Sequence, residues 1–268
     1  MFGVVPKSIW SRTCPADENN MCSWSMRCLL IEDGDRLILF DTGMGNKQSD
    51  KFFGYFYLFG DDTLKGSIKK AGFSVEDITD VFITHLHFDH CGGAIEKDAS
   101  TGLLKPTFPN AKYWSNEDHW QWAVNPNSRE KASFLKENIL PIQESGQLNF
   151  VKSDGSSWAR NVFPNIDIFF ANGHTEQQMI PVFNYKGQTL IYAADLVPSV
   201  HHIPMPYVMG YDVRPLNTLK EKATIYDFAL EKDAVFIFEH DINNEAGLIH
   251  KTEKGVRLKE SGDLKNYI

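Results

Sequence analysis

The stretch Asp80-Val-Phe-Ile-Thr84-His85-Leu-His87-Phe-Asp89-His90-Cys91-Gly92-Gly93 decides how this chain is read. Asp80–Thr84 is a short apolar run of the kind that forms a buried strand. It delivers the chain directly to three imidazoles and a carboxylate within six residues. In an extended segment, residues i and i+2 point the same way, so His85 and His87 can share one ion. Asp89 and His90 lie beyond the bend and can face a second ion. Imidazole nitrogen and carboxylate oxygen suit zinc, and also iron, manganese or cobalt. The chain has nine histidines in 268 residues, so three inside six positions need a reason other than chance. Cys91 reads as a small buried hydrophobe, not a ligand, and Gly92-Gly93 permits a tight backbone path.

Six residues cannot complete two coordination shells, so further ligands are expected from distant strand ends. His174 follows a strand in Asn172-Gly173-His174-Thr175. Asp195 ends the run Tyr192-Ala-Ala-Asp195, and His240 ends Phe236-Ile-Phe-Glu239-His240. Each is a metal-competent side chain just past an apolar strand, where α/β scaffolds hold their sites.

His85-x-His87-x-Asp89-His90, then Gly-His174-Thr, then Asp195 and then His240 resembles the metallo-β-lactamase superfamily pattern. The resemblance runs from the hairpin ending in Asp41-Thr42-Gly43 to His240. It implies an α/β fold, an αββα sandwich of two mixed β-sheets flanked by helices. It also implies that His85, His87 and His174 hold one metal, that Asp89, His90 and His240 hold the other, and that Asp195 bridges them. Two divalent ions, zinc first and iron, manganese or cobalt after it, would then share a water. They would lower its pKa and supply a bridging hydroxide as nucleophile. Asp89 is further expected to pass a proton to the leaving group, and Asp41 to orient a metal-binding histidine.

Around this centre, Arg27–Glu32 and Arg36–Phe40 flank Asp33-Gly34-Asp35 and read as a β-hairpin. Helices are expected over Thr63–Ala71, Asn116–Val124, Ser128–Asn138 and Leu216–Leu230, and Ser74–Asp77 resembles a capping box. Strands are expected at Ile166–Ala171, Met179–Asn184, Gln188–Ala194 and Ala234–Phe238, with a final hairpin around Lys254-Gly255. No linker or repeat interrupts the chain, so residues 1–268 are read as a single hydrolase domain. No run of about 18 apolar residues marks a membrane helix. Met1–Trp10 lacks the basic region and apolar core of a signal peptide. The four cysteines form no CxxC pair, and a reduced, cytoplasmic setting is expected. A net charge of −8 argues against a broad phosphate-binding face, hence against nucleic acid as partner.

Asp195 stands where the best-known β-lactamases carry a cysteine, and no cysteine follows Cys91. Antibiotic hydrolysis is therefore set aside. The bridging aspartate fits lactonases, organophosphate hydrolases, glutathione thioesterases and some nucleases. The segments Phe2–Trp10 and Pro15–Asn20 resemble the lactonase and organophosphate-hydrolase branch, whose members carry a strand before this point, so a short N-terminal piece is expected to be missing here. The substrate expectation is a small lactone or related ester, acyl-homoserine lactones included. The alternative is a phosphotriester or phosphodiester, and a diiron redox protein or a non-catalytic relative ranks below both. In well-studied acyl-homoserine lactonases a tyrosine sits three residues after the bridging aspartate. Here that residue is Pro198, and Tyr207, Tyr211, His201 or His202 are the candidates to replace it. The aromatic run Phe52–Phe59 offers either a wall for an acyl pocket or a homodimer interface. Trp120, Trp122 and His119 could cap that pocket, and Met205–Met209 could line it.

Overall fold

The computed structural model describes residues 1–268, which divide into two compact units. One covers Cys28–Lys152, and the other joins Met1–Arg27 to Ser153–Ile268. The chain is mixed α/β, and each unit is built on one mixed sheet.

In the first unit, β1 (Leu29–Asp33) and β2 (Arg36–Phe40) form the expected hairpin, paired from Leu29↔Phe40 to Asp33↔Arg36. Gly34 supplies the positive φ at its tip, and Arg36 is ion-paired with Asp33. β3 (Asp80–Phe82) lies parallel to β2. A small separate ladder, β4 (Ile95–Lys97) with β5 (Leu104–Pro106), precedes β6 (Lys112–Asn116) and β7 (Leu148–Val151). The five-stranded sheet has the order β1-β2-β3-β6-β7 and is parallel from β2 onward. β3 is central and fully buried, which is why it reads as an unbroken apolar run. Because β2 and β3 run the same way, Asp41 and Thr84-His85 emerge at the same edge of the sheet.

Helix formation follows the caps. Thr63 accepts the Gly66 N–H ahead of helix Leu64–Lys70, and Asn116 accepts the His119 N–H ahead of helix Glu117–Val124. Ser74 and Asp77 close their short turn, the Asp77 carboxylate taking both the N–H and the hydroxyl of Ser74 at 2.8 Å. The expected helix Ser128–Asn138 is corrected: the helix is Lys136–Glu144. The Asn127 side chain accepts the Arg129 and Glu130 N–H groups and the Ser133 carbonyl is taken by Phe88 N–H, so residues 127–133 form a turn instead.

In the second unit, β8 (Trp158–Phe163), β9 (Ile166–Ala171), β10 (Gln178–Tyr185), β11 (Gln188–Tyr192), β12 (Val235–Ile237), β13 (Ala246–Thr252) and β14 (Gly255–Gly262) lie side by side. All neighbours are antiparallel except β11 and β12. That parallel pair needs a crossover, and helix Pro215–Lys232 supplies it. β9 and β11 are both antiparallel to β10, so β9, β11 and β12 all run one way. Their C-terminal ends, leading to His174, Asp195 and His240, therefore share one edge. No helix of the chain is long and apolar enough to cross a membrane.

Two glycines let the ligand-bearing turn pack against the chain that follows β2. A Cβ on Gly92 would sit 2.1 Å from the Met44 carbonyl oxygen, and one on Gly93 would sit 2.2 Å from that of Thr42. Both obstacles are backbone, so neither can rotate away. Gly92→Ala is expected to lose about 1–3 kcal/mol of stability in urea unfolding, the usual toll of overpacking. Gly210→Ala, whose new methyl would meet its nearest atoms at 3.8 Å, is expected to be nearly neutral. Equal stability of the two variants would show that the close approach does not matter.

Candidate metal centre

The first unit offers His85, His87, Asp89 and His90. His85 is two residues past the Ile83 N–H that bonds the Trp114 carbonyl, so the sheet fixes where the histidine run begins. The rings of His85 and His87 lie 4.6 Å apart, and those of His85 and His90 3.9 Å apart. Between the first two, the Leu86 N–H donates to His119 Nε2 at 2.8 Å, which pins the backbone of the pair. His87 caps the single turn Phe88–Cys91, and the His90 carbonyl accepts both the N–H (2.7 Å) and the hydroxyl (2.9 Å) of Thr42.

Each of these rings is held through one nitrogen. His90 Nδ1 donates to Asp41 Oδ2 at 3.0 Å, as expected of Asp41. Asp41 is buried, has a left-handed φ of 55°, and also accepts the Thr84 N–H and hydroxyl at 2.7 Å. The Thr84 hydroxyl lies 3.1 Å from His85 Nδ1. His87 Nε2 lies 3.3 Å from Glu130 Oε1, and the other Glu130 oxygen accepts the Trp122 indole N–H at 2.8 Å. Asp89 is partly exposed, its Oδ2 3.9 Å from His90 Nε2.

The second unit offers His174, Asp195 and His240. Asp195 is buried, and its two oxygens face different histidines: Oδ2 is 3.1 Å from His174 Nε2, and Oδ1 is 3.0 Å from His240 Nε2. Behind these rings, His174 Nδ1 donates to Asp212 at 3.1 Å, and His240 Nδ1 donates to the Ser25 carbonyl at 2.7 Å. Burial works against a charge on His174, yet Asp195 and Asp212 outweigh it and push its pKa up to about 10. The surroundings thus favour positive charge at this spot.

The loop carrying His174 is gripped by the start of helix Pro215–Lys232. Glu221 accepts the Asn172 and Gly173 N–H groups at 2.7 and 3.0 Å, and Arg214 donates to the Asn172 carbonyl at 2.8 Å. Thr218 donates to Asp212 at 2.8 Å. The tilted Trp24 ring lies 5.2 Å from that of His240.

The donor set fits a divalent cation. Nitrogen and carboxylate donors bound to tetrahedral zinc at about 2.1 Å sit about 3.4 Å from one another, a few tenths of an ångström wider than the 3.0 and 3.1 Å found around Asp195. Imidazoles whose other nitrogen is tied to a carboxylate or carbonyl are the usual form of metal-binding histidine. Of these holding groups, sequence reasoning found Asp41 and missed Glu130, Asp212, Thr84 and the Ser25 carbonyl.

The remaining candidates take structural places. Pro198 gives its carbonyl to the His240 N–H at 3.0 Å. His202 is buried against Phe2, with ring centroids 4.5 Å apart, and its Nδ1 is 2.8 Å from the Ser199 hydroxyl; burial lowers its pKa well below the usual imidazole value. Tyr211 is exposed, and Tyr207 meets Phe2 edge-on. Phe52 and Phe56 pack on Phe88 beside Asp89, while Tyr55, Tyr57 and Phe59 are exposed. Trp120 is core, and Cys91 is a buried thiol pushed up to about 12 by burial.

Residues 27–240 match the metallo-beta-lactamase superfamily, and the chain belongs to it. It is 24% identical over 254 residues to an N-acyl homoserine lactonase of Bacillus cereus, covering 90% of this chain and 89% of that one. Among solved structures, it superposes on a probable metal-dependent hydrolase from Staphylococcus aureus with a TM-score of 0.85 and 25% identity, over 97% of this chain and 90% of the other. The dizinc quorum-quenching lactonase AidC matches with a TM-score of 0.67 and 24% identity, over 88% and 79% of the two chains. The fold is therefore the metallo-β-lactamase fold, and the protein is a metal-dependent hydrolase with lactonase relatives.

Removing an orienting carboxylate without changing its shape tests this centre. Asp212→Asn and Asp41→Asn are each expected to weaken metal binding about 10- to 100-fold, read by competition with a chromophoric chelator. Unchanged affinity in both would mean that these carboxylates serve packing alone.

Proposed function

We propose that this protein is a dinuclear metal hydrolase that opens a lactone or a closely related ester. The observation that carries the reading is Asp195, whose two oxygens each address a different imidazole, the arrangement a bridging carboxylate needs. On this proposal His85, His87, His174 and Asp195 hold one ion, while Asp89, His90 and His240 hold a second that shares Asp195. On the same proposal residues 1–268 are one hydrolase domain. Zinc suits the all-nitrogen-and-oxygen donor set, and AidC, a relative of the same fold, is dizinc.

Bound there, two divalent ions supply Lewis acidity and a water acidic enough to act as nucleophile near neutral pH. The chain's own residues set up the rest. Glu130, Asp41, Asp212, Thr84 and the Ser25 carbonyl fix the five rings so that no reorientation is needed during reaction. Asp89 is the more exposed of the two proposed ligand carboxylates, so it is placed to take up the proton released by the attacking water and hand it to the departing alkoxide. The lactone reading rests on the curated relatives, which are N-acyl homoserine lactonases.

Metal content per chain, measured with turnover of an acyl-homoserine lactone, a γ-lactone, a phosphotriester and nitrocefin, tests the whole reading. About two ions per chain with lactone opening are expected. Two ions with turnover of the phosphotriester alone would move the assignment to phosphoester hydrolysis. One ion or none after careful reconstitution, with no hydrolysis, would end the dinuclear reading. Asp195→Ala is expected to lower kcat/KM by about a thousandfold or more, with metal lost in parallel. Asp89→Asn that keeps both ions and full turnover would remove the proton-transfer role from Asp89.

A further inference from the structure

The segment before β1 carries a feature that hydrolysis does not use. Cys14 and Cys22, both half-buried, flank the turn Pro15–Met21. The turn is closed by Asp17 N–H to the Met21 carbonyl at 2.9 Å, and by the Asp17 carboxylate, which accepts the Asn19 and Met21 N–H groups at 2.9 and 2.8 Å. Asn20 takes the left-handed conformation that lets the chain reverse, with φ 64°. The reversal brings Cys22 Sγ to 3.9 Å from the Cys14 carbonyl oxygen, and the two thiols into hydrogen-bonding reach of each other.

The residues just after Cys22 touch the metal centre. Trp24 packs on the His240 ring, and the Ser25 carbonyl holds His240 Nδ1. The Ser25 hydroxyl donates to the Glu239 carbonyl at 2.6 Å and to that of Asp241 at 3.0 Å. Arg27 donates to the Phe238 carbonyl at 2.6 Å. This strap therefore runs from the dithiol turn straight to the loop that presents His240.

We propose that Cys14 and Cys22 are a thiol–disulfide exchange site, closed reversibly by low-molecular-weight disulfides, which fastens the strap that positions His240. Burial, with Cys22 and Asp241 beside it, pushes the Cys14 thiol up to about 12, so Cys14 is the poorer first nucleophile and the first attack falls to Cys22. Cys22 attacks one sulfur of a small disulfide RSSR, forms the mixed disulfide and expels RS⁻. Cys14, giving its proton to solvent, then attacks Cys22 sulfur, and the second RS⁻ leaves. In sum two cysteine thiols are oxidised and one RSSR is reduced to two RSH. In the mixed disulfide Cys22 sulfur is an electrophile within reach of Cys14, so the second step follows the first. Cys91 is outside this chemistry, buried with its thiol on the Leu86 carbonyl at 3.3 Å.

The test uses the metal-loaded, fully reduced protein incubated with oxidised glutathione, then alkylated under denaturing conditions and digested with trypsin. Residues 13–27 form one tryptic peptide holding both cysteines. That peptide is expected to lose two hydrogens and escape alkylation, and to regain both alkyl groups after dithiothreitol. Cys28 and Cys91 are expected to stay alkylatable. Loop closure should also slow thermolysin cleavage within residues 13–27 by at least about tenfold. In Cys14→Ser, Cys22 is expected to stop at the glutathione adduct. Two alkyl groups on the peptide after oxidation would overturn the proposal, as would a stable glutathione adduct in the wild type or a bond from either cysteine to Cys28. So would unchanged cleavage of the closed form.

Discussion

An imidazole serves a metal best when its ring is held still, and in this protein each of the five histidines proposed as ligands is held through one ring nitrogen. Asp41 serves His90, Glu130 serves His87, Asp212 serves His174, the Thr84 hydroxyl serves His85, and the Ser25 carbonyl serves His240. Buried carboxylates are costly unless positive charge lies nearby. Asp41, Asp195 and Asp212 are all buried, and the field of the last two is strong enough to hold His174 protonated far above its usual pKa. In the second unit folding therefore sets two buried carboxylates around the one imidazole of His174. Metal binding and stability are then linked quantities, since the ion that binds relieves a penalty the fold has already incurred.

Strand direction makes this arrangement reachable. β2 and β3 are parallel neighbours, so Asp41 and His85 arise from adjacent strand ends and meet through Thr84 and His90. β9, β11 and β12 run alike, so three residues from positions 174, 195 and 240 come to one edge. Helix Pro215–Lys232 then does two things. It provides the crossover that makes β11 and β12 parallel, and its first turns hold the His174 loop through Arg214, Thr218 and Glu221. Gly173 has no side chain because Thr218 occupies the space, where a Cβ would meet its backbone nitrogen at 2.4 Å.

The residues proposed as ligands stood out in the sequence because the segments that carry them follow apolar strands, and strand ends announce themselves locally. The partners that orient them did not. Asp212 lies 38 residues from His174, and Glu130 lies 43 from His87, each alone in a turn without any pattern. Asp41 was found because it has a local signature, an Asp-Thr-Gly directly after a strand. A carbonyl such as that of Ser25 has no sequence identity at all. In the fold, the long strands and helix Pro215–Lys232 were legible from periodicity. β7 and β8 were not, because both are edge strands of their sheets and mix polar with apolar residues. Ser128–Leu135 carried helix-forming residues, but the Asn127 side chain and the Phe88 N–H drew its backbone groups elsewhere.

Pro198 sharpens the question of substrate recognition. It cannot donate a hydrogen bond, and its carbonyl is already committed to the His240 N–H. Its part in the structure is thus to fix the backbone at His240. The chain after Pro198 turns through His202 and reaches Met209, a loop whose backbone is gathered by one buried lysine. Lys222 Nζ lies 2.6 Å from the His202 carbonyl, and 3.2, 3.4 and 3.2 Å from those of Pro204, Met205 and Tyr207. Four carbonyls gathered on one buried lysine nitrogen leave this loop little freedom to adapt.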